Sequence, residues 1–321
     1  MTERNRFHIL RTGPRRSGQD TEVKRSMART EIQSFIEEEV NKVKGIYYPV
    51  KAGFLRRAFI KRARCRKLHP NPADEFCDPE IGPNYEILSG YEKDYRTTGG
   101  RTSELNYLNS NAVMPLMVEK TRPEGYMILN GHHRWAAAVR AGISKIGIHI
   151  VDLTAEKDVR KMIEKATSDR RVTLDLDEVV FRPEGDACVE KALHFPLNRV
   201  YKERIRLGIP ALFHDLNAKG YDIWIYSAQY YSMEYLKQFF RHYHVRVTGI
   251  VTGTARKTPR GAETVKEMDR MVAAKYHTTL HIDNQLVLRT SRDSREFEEY
   301  RLSGSDAGWS REVMEIIGEM K

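Results

Sequence analysis

The stretch VTLDLDEVV, residues 172–180, decides the fold of the second half of this 321-residue chain. Apolar and β-branched residues lead directly into Asp175 and Asp177. This pattern is typical of a buried parallel strand that delivers polar side chains at its carboxyl end. In an open α/β sheet, ligands bind at the carboxyl ends of the strands. The stretch therefore predicts a polar site at one edge of a parallel sheet.

Three later motifs extend the same prediction. YDIWIYSAQ (221–229) and TTLHIDN (278–284) are again strand-like, and they end in Ser227 and in Asp283 followed by Asn284. Between them, ARKTPRG supplies Lys257. The gaps from Asp175 through Ser227 and Lys257 to Asp283 are 52, 30 and 26 residues (227 − 175, 257 − 227, 283 − 257), which suits alternating helices and strands. Three carboxylates, a hydroxyl and an ammonium at one edge predict a site for phosphate and Mg²⁺.

The segment DLDEV matches the DxDx[TV] motif, and the order of the four motifs resembles that of the haloacid dehalogenase-like (HAD) phosphohydrolases. The resemblance implies a Rossmann-like parallel sheet and an aspartyl-phosphate intermediate formed on Asp175. It gives Asp177 the role of general acid and base. Ser227 and Lys257 would hold the phosphoryl oxygens. Asp175, Asp177 and Asp283 would bind Mg²⁺, with Asn284 beside them.

Each motif by itself has a simpler interpretation. Acidic residues after a strand often begin turns or cap helices, and a lysine in a loop is often a solvated charge. Lys266 and Lys275 lie on the same stretch as Lys257 and are alternatives to it. Between Asp177 and Ser227 we expect a helix pair around Pro210, which leaves room for at most a small cap over the site.

A second signature lies upstream, in YMILNGHHRWAAAVRAG (126–142). It predicts a strand, a tight turn at Asn130-Gly131, and an Ala-rich helix that ends at Gly142. Gly131 permits a close approach of the backbone, and the first amides of a helix bind anions. This turn is therefore a candidate site for nucleotide phosphates.

Residues 68–153 resemble the ParB/sulfiredoxin superfamily through this segment and its flanking strands. Where sulfiredoxins have GCHR, this chain has His132 in place of the cysteine, so reduction of sulfinic acids is not expected. ParB proteins have GERR, which shares Gly131 and Arg134 with this chain. Gly-His-His-Arg is closer to the kinase-like members of the superfamily. The resemblance implies a nucleoside di- or triphosphate as a second ligand.

The sequence does not decide the roles of the three residues that follow Gly131. Arg134 is the best candidate for a direct phosphate contact, because a guanidinium is planar, permanently charged and able to bind in a bidentate manner. His132 and His133 are either catalytic or simply part of a helix start, with one ring packed and the other solvated. A zinc pair is not expected, because adjacent residues of a helix point apart.

The positive charge of the chain is concentrated at its start. Lys and Arg exceed Asp and Glu by ten (54 − 44) over the whole chain, and residues 1–71 alone have a net charge of +11 (18 − 7). An Arg-rich stretch extends to about Ser26. A predicted helix follows, with five apolar residues on one face and Gly45 beyond its end: Ile32, Phe35, Ile36, Val40 and Val43. GFLRRAFIKRARCRK (53–67) predicts a second, strongly basic helix with an apolar side: Phe54, Leu55, Ala58 and Phe59.

Such an arm can bind nucleic-acid phosphates, lie on an anionic membrane surface, or pack on the next domain with its charges solvated. Of these partners we expect nucleic acid. No apolar run approaches the ~20 residues of a spanning helix, and we expect no secretory signal. Cys65, Cys77 and Cys188 form no CxxC pair, so we expect reduced thiols and a cytoplasmic protein.

The sequence thus predicts an α/β chain with three parts. Residues 1–67 form a partly helical basic arm, 68–169 a smaller α+β ParB/sulfiredoxin-like domain, and 170–321 a HAD-like parallel sheet, with HPNPADEFCDPEIGP (69–83) as a linker or surface loop. The expected function is a Mg²⁺-dependent phosphatase acting on nucleic-acid or nucleotide phosphate. Two alternatives remain: a combined kinase and phosphatase, and a nucleotide-switched DNA-binding protein with a degenerate HAD-like domain.

Overall fold

The computed structural model describes residues 18–43, 45, 47–57, 59–99, 114–255, 259–294, 297–304 and 306–320. In this part of the chain the helices are α1 (Gly18–Val43), α2 (Phe54–Arg57), α3 (Tyr85–Thr98), α4 (His132–Arg140), α5 (Glu156–Glu164), α6 (Ile209–Ala218), α7 (Met233–His242), α8 (Pro259–Lys275) and α9 (Trp309–Glu319). The strands are β1 (Tyr48–Pro49), β2 (Lys61–Arg64), β3 (Leu68–His69), β4 (Leu116–Arg122), β5 (Tyr126–Asn130), β6 (Lys145–Ile150), β7 (Arg170–Asp175), β8 (Phe181–Arg182), β9 (Arg204–Ile205), β10 (Asp222–Ser227), β11 (Gly249–Thr252), β12 (Thr278–Ile282), β13 (Leu286–Ser291) and β14 (Phe297–Arg301).

The downstream sheet has the strand order β11-β10-β7-β12-β13-β14. The first four strands are parallel, and β13 and β14 extend the sheet as antiparallel strands. The predicted parallel sheet is therefore present, with β7 at its centre between β10 and β12. Connecting helices bury their apolar faces against it, as expected when strands alternate with helices.

One glycine fixes the packing of the central strands. Trp224 on β10 is fully buried, and its indole Nε1 donates to the hydroxyl of Tyr276 at 2.8 Å. A Cβ at Gly249, on the neighbouring strand, would lie 2.2 Å from the Trp224 ring. Position 249 must therefore be glycine for the ring to lie against the strand.

The upstream sheet is mixed, with the order β2-β6-β4-β5-β3 and with β1 paired to β4. β4 and β6 are parallel, as are β3 and β5, whereas β4–β5 and β2–β6 are antiparallel. Helix α4 packs on this sheet through Trp135 and the alanines that follow it, which form the centre of a separate apolar core. The chain therefore has two cores, as its length predicts.

The first helix forms part of this upstream core. Ile32, Ile36 and Val43 of α1 are buried, and the ring of Phe35 stacks on Trp135 with centroids 5.5 Å apart. The apolar face predicted from the sequence is confirmed. However, the helix begins at Gly18, earlier than we expected, and residues 1–17 of the arm lie outside the described residues.

The prediction of a second basic helix at residues 53–67 is wrong. Only Phe54–Arg57 is helical, and Lys61–Arg64 forms the edge strand β2, which pairs with β6. In this strand Ala63 is buried, while Arg62 and Arg64 on either side of it are exposed. Long basic side chains suit an edge strand as well as a helix, because the aliphatic stem covers apolar surface. The upstream domain consequently begins before residue 68.

A short connection ties the two cores together. Asp152 accepts hydrogen bonds from the amide of Ala52, while its own amide donates to Ser232 Oγ at 3.0 Å. Two residues later, Thr154 Oγ1 donates to the carbonyl of Ile250 at 2.9 Å and accepts from the amide of Thr252. These contacts hold the upstream sheet beside β11.

Packing places the border between the two cores earlier than residue 169. Helix α5 buries Val159 and Met162 in the downstream core, and it contacts β11 and α8. The chain therefore passes from one core to the other near residues 151–155. The boundary expected at residues 169–170 coincides instead with the start of β7.

The segment between Asp177 and Ser227 contains a two-stranded sheet of β8 and β9, which residues 183–203 connect, followed by one helix, α6. The prediction of a helix pair around Pro210 is wrong. A single helix, α6, is found there, and Pro210 lies in its first turn. Between Ser227 and α8 the chain forms α7 and β11. Among the described residues, no helix has both the length and the apolar character needed to cross a membrane.

Candidate functional site

Parallel pairing brings the predicted downstream residues to one edge of the sheet. Asp175 ends β7 beside Tyr226 of β10, so Ser227 lies next to it. On the other side, Ile282 of β12 pairs with Leu174, which places Asp283 at the same edge. Asp175, Ser227 and Asp283 thus follow three adjacent strands, as the sequence predicts.

Asp175 closes the turn that follows its strand. Its Oδ1 accepts from the amides of Asp177 and Glu178 at 2.7 and 2.8 Å, at the start of a single wide helical turn, Leu176–Val180. Such π turns are uncommon and frequently occur at functional sites. Within the described residues, the hydrogen bonds of this carboxylate fall on Oδ1, and Oδ2 takes part in neither of them.

Asp177 faces the next strand. Its carboxylate accepts from the Ser227 hydroxyl at 2.9 Å and from the amides of Ala228 and Gln229 at 2.8 and 3.3 Å. Burial raises the pKa of the Asp177 carboxyl above its usual range, while the hydrogen bonds from Ser227 and Ala228 act in the opposite direction. A carboxyl whose proton is retained longer than usual is suited to protonating a leaving group.

Asn284 is held in place from three sides. Its side chain accepts from Arg206 Nη2 at 2.7 Å and donates to the carbonyl of Glu178 at 3.3 Å, and its own carbonyl accepts from the indole of Trp309. Arg206 is 1% exposed and lies over the Trp309 ring, 4.4 Å from its centroid. This arrangement ties the turn after Asp283 to the turn after Asp175.

The expected phosphate lysine, Lys257, lies outside the described residues. The chain just before it is fixed, because the amide and hydroxyl of Thr254 both donate to the carbonyl of Ser227, at 3.0 and 3.1 Å. Of the two alternatives, Lys266 is exposed on α8, and Lys275 lies at the end of that helix with its ammonium over the Tyr276 ring.

The expected Mg²⁺ ligands do not form one set of three carboxylates. Asp177 is engaged by the 227–229 loop, and among the described residues no group of three or more His, Cys, Asp or Glu side chains is placed to hold a metal ion. Asp175 Oδ2 and the Asp283 carboxylate remain at neighbouring strand ends. Two hard oxygen ligands are compatible with Mg²⁺, which keeps several of its waters.

The upstream candidate site is built on the turn between β5 and α4. Gly131 has φ of 103°, and a Cβ at this position would lie 2.5 Å from Leu116 Cδ2. The first hydrogen bond within the helix runs from the amide of Trp135 to the carbonyl of Gly131. The amides of His132, His133 and Arg134 precede it and form the donor end of the helix.

His132 and His133 hold the Pro-rich segment 69–83 against this turn. Nε2 of His132 accepts from the amide of Asn71 at 3.1 Å, and Nε2 of His133 accepts from the amide of Asn84 at 2.8 Å. Both rings also contact Phe76. Because each ring accepts a hydrogen bond at Nε2, both act as neutral imidazoles. The His132 ring is buried, whereas His133 is half-buried. Burial lowers the pKa of both histidines, and Asp74 opposes that effect.

Arg134 stabilises the turn between β5 and α4 through hydrogen bonds. It is 8% exposed, and its guanidinium donates to the carbonyls of Met114 and Pro115 and to Asn130 Oδ1 at 3.0–3.1 Å. These partners are the protein's own oxygens. The geometry therefore favours a positioning role for Arg134 over the direct phosphate contact expected from the sequence.

A cleft of about 910 Å³ opens above Gly131. Its upstream wall includes His132, His133 and several tyrosines, and its other wall comes from the downstream domain: Tyr230, Ala255 and Thr264. Its volume lies within the range of small-molecule and cofactor sites. The sequence did not predict a shared cleft, because its walls come from segments that are distant along the chain.

Comparison with known proteins identifies part of the upstream domain. Residues 107–166, with Gly131 near their centre, match the ParB N-terminal domain. The predicted resemblance is confirmed for these residues. No match is found among curated proteins.

Among solved structures, the chain is similar to the C-terminally truncated chromosome-partitioning protein ParB from Caulobacter crescentus, complexed with CTP-γ-S. The identity is 21%, over 35% of this chain and 56% of that protein, with a TM-score of 0.22. This chain thus spans little more than half the length of that ParB. The ParB-type similarity of the upstream domain rests on the family match over residues 107–166 and not on this weak likeness.

Proposed function

We propose that this protein is a Mg²⁺-dependent phosphatase of the HAD-like type, joined to a nucleotide-binding ParB-type domain. The observation that carries the proposal is the half-buried carboxyl of Asp177, which is held by Ser227 of the adjacent strand beside the carboxylate of Asp175. The order of the parallel strands, with β7 between β10 and β12, supports the same assignment.

In the proposed reaction, Asp175 Oδ2 attacks the phosphorus of a phosphate ester, and the bond to the leaving oxygen breaks. Asp177 gives its proton to that oxygen. It then takes a proton from the water that attacks the aspartyl-phosphate, which releases inorganic phosphate and restores Asp175. Mg²⁺ bound by Asp175 and Asp283 would supply positive charge between the carboxylates and the phosphate.

The proposed substrate is a phosphate carried on a large molecule, with a polynucleotide as the first candidate. The segments around the site contain the two-stranded sheet of β8 and β9, its connection at residues 183–203, and single helices, α6 and α7, with no larger inserted domain among these described residues. A cap closes over a small substrate and excludes water, so its absence from this described region suits a bulky one. The basic residues at the start of the chain support the same substrate.

Nucleoside di- or triphosphate binding is proposed for the cleft at Gly131. Its support is the donor end of α4, the ParB-type match around it, and the tyrosines that line the cleft. Aromatic rings stack on bases, and helix amides bind phosphates. The shared cleft also favours the alternative of a combined kinase and phosphatase, in which the ParB-type domain transfers phosphate from the nucleotide.

The test is a phosphatase screen of the full chain over phosphorylated oligonucleotides, nucleotides and phosphoamino acids, with and without Mg²⁺. Asp175→Asn should lose at least about a thousandfold in turnover and keep its melting temperature, since the amide oxygen still accepts the two turn hydrogen bonds. Asp215→Asn, a surface change on α6, is the matched control. Retained turnover in Asp175→Asn, or a phosphoryl adduct trapped on another residue, would contradict the proposal.

A further inference from the structure

The cleft above Gly131 has walls from both domains. The ParB-type side supplies Gly131 and the two histidines, and Leu153 of the connecting segment lies at the junction. The downstream side supplies Tyr230, Ala255 and Thr264. A ligand that fills this space contacts both domains at once.

Both Tyr230 and Ala255 directly follow the loops that hold the candidate phosphatase site. The amides of Ala228 and Gln229 donate to Asp177, and Tyr230 is the next residue. Similarly, Thr254 donates to the carbonyl of Ser227, and Ala255 follows it. Consecutive Cα atoms are about 3.8 Å apart, so the wall of the cleft is one residue away from the groups that hold Asp177.

The two loops are also bonded to each other. The amide of Gly253 donates to the carbonyl of Gln229 at 2.9 Å. A displacement of Tyr230 is therefore transmitted to the 228–229 amides and to the 253–254 segment together. Since two of these amides donate to the Asp177 carboxylate, their position sets its orientation.

The domains are held in a fixed relation at the end of the cleft. Asp152 contacts Ala52 on the upstream side and Ser232 on the downstream side, and Thr154 is bonded to β11. Because the junction is fixed, we expect a ligand bound in the cleft to displace the nearby loops and to leave the relative position of the domains unchanged.

We propose that the cleft is a composite site in which a bound nucleoside di- or triphosphate contacts the 228–230 loop and thereby changes catalysis at Asp177. This inference rests on the proposed nucleotide binding and goes beyond it by coupling the two domains. A ligand changes a distant equilibrium only when it interacts differently with the two states, and contact with Tyr230 supplies that difference.

The experiment uses the full chain and the γ-thio analogues of the four ribonucleoside triphosphates. Calorimetry measures binding, and turnover of p-nitrophenyl phosphate is measured with and without saturating analogue. We expect kcat to change at least threefold, because an analogue that merely competes for the phosphatase site would raise KM and leave kcat unchanged. In Tyr230→Ala, the ratio of kcat with and without analogue should approach one. Tyr300→Ala, on β14 and outside the cleft, is the matched control and should keep the wild-type ratio.

Amide hydrogen exchange provides a second measurement that does not need turnover. Residues 226–231 should exchange more slowly when the analogue binds, in the wild type and in Asp175→Asn alike. Binding without protection of this loop and without a change in kcat would overturn the coupling while leaving nucleotide binding intact. If no analogue binds, the proposed nucleotide site fails and the coupling fails with it.

Discussion

The hydroxyl of Ser227 is shared between the two carboxylate oxygens of Asp177, at 2.9 Å from Oδ1 and 3.0 Å from Oδ2. The two residues are 50 positions apart and meet because β7 and β10 are parallel neighbours. The sequence predicts that Ser227 holds phosphoryl oxygens. In this structure it instead holds the residue proposed as the general acid.

This hydrogen bond predicts a shift in the pH dependence of turnover. The Ser227 hydroxyl stabilises charged Asp177, so Ser227→Ala should raise the pKa of this carboxyl further. Because leaving-group protonation needs the acid form, the loss of kcat at high pH should then occur at a higher pH than in the wild type. We expect kcat itself to fall as well, because the proposed general acid loses one of the groups that position it.

The check is a kcat–pH profile for the wild type, Ser227→Ala and Ser227→Thr. Threonine keeps the hydroxyl and should retain a profile close to the wild type. If the fall of kcat at high pH occurs at the same or a lower pH in Ser227→Ala, the titration of Asp177 is not what limits kcat there.

Arg206 should influence the Mg²⁺ requirement without touching the substrate. It positions Asn284, the neighbour of Asp283, through a hydrogen bond of 2.7 Å. Arg206→Met fills a similar volume but removes the donor, so the turn that carries Asp283 loses one of its supports. We expect the Mg²⁺ concentration for half-maximal turnover to rise several-fold, and the protein to lose about 1–3 kcal/mol of stability.

The measurement is a Mg²⁺ titration of turnover together with a chemical unfolding curve. Arg289→Met, which removes an arginine of β13 paired with Glu298, is the matched control and should leave the titration unchanged. An unchanged Mg²⁺ dependence in Arg206→Met would assign Arg206 to stability alone.

His132 should make the protein less stable in mild acid. Burial lowers the pKa of this ring below its ordinary value of 6.5, to about 4. The unfolded chain therefore takes up a proton as the pH falls below about 6.5, while the folded chain does not until the pH approaches 4. The contribution of the neutral His132 ring to the free energy of unfolding is on the order of 1–3 kcal/mol. It is fully present above pH 6.5 and is lost progressively as the pH falls towards 4.

Unfolding curves at pH 7.5, 6.0 and 5.0 test this expectation. His132→Gln keeps an acceptor for the Asn71 amide and does not titrate, so its stability should change less with pH than that of the wild type. His277→Gln, on an exposed surface, serves as the control because His277 lies near Asp293 and outside both cores. Equal pH dependence in the wild type and His132→Gln would contradict the assignment.

The first 17 residues should supply salt-sensitive affinity for oligonucleotides. They contain five arginines and one glutamate, a net charge of +4 (5 − 1). Removing all of residues 1–67 is not a clean test, because α1 and β2 belong to the upstream core. Removing 1–17 should weaken binding at low salt. It should also reduce the slope of log K against log salt, by about 0.7 for each phosphate of a single strand that the arm neutralises.

The matched control keeps the full length and replaces these five arginines by lysines, which preserves the charge and should preserve the slope: Arg4, Arg6, Arg11, Arg15 and Arg16. Fluorescence anisotropy over a series of salt concentrations gives both slopes. A truncated chain that binds as tightly as the full chain at low salt would remove the arm from the nucleic-acid proposal.

The sequence by itself determined the features that depend on short-range pattern. Apolar runs that end in Asp175, Ser227 and Asp283 predicted three strands and the edge at which they meet, because side-chain chemistry and strand direction are both local. The glycine at 131 predicted the turn before α4, since a φ of 103° suits a residue without Cβ. The apolar spacing of α1 predicted its buried face in the same way.

The tertiary structure decided the features that depend on distant partners. Lys61–Arg64 is a strand because β6 offers it an open edge, a partner about 80 residues away that no local pattern reveals. The two histidines accept from amides 61 and 49 residues away, and Arg206 bonds Asn284 across 78. Hydrogen-bond partners, burial and the resulting pKa shifts are set by what the folded chain places around a group, so they follow from packing and not from residue type.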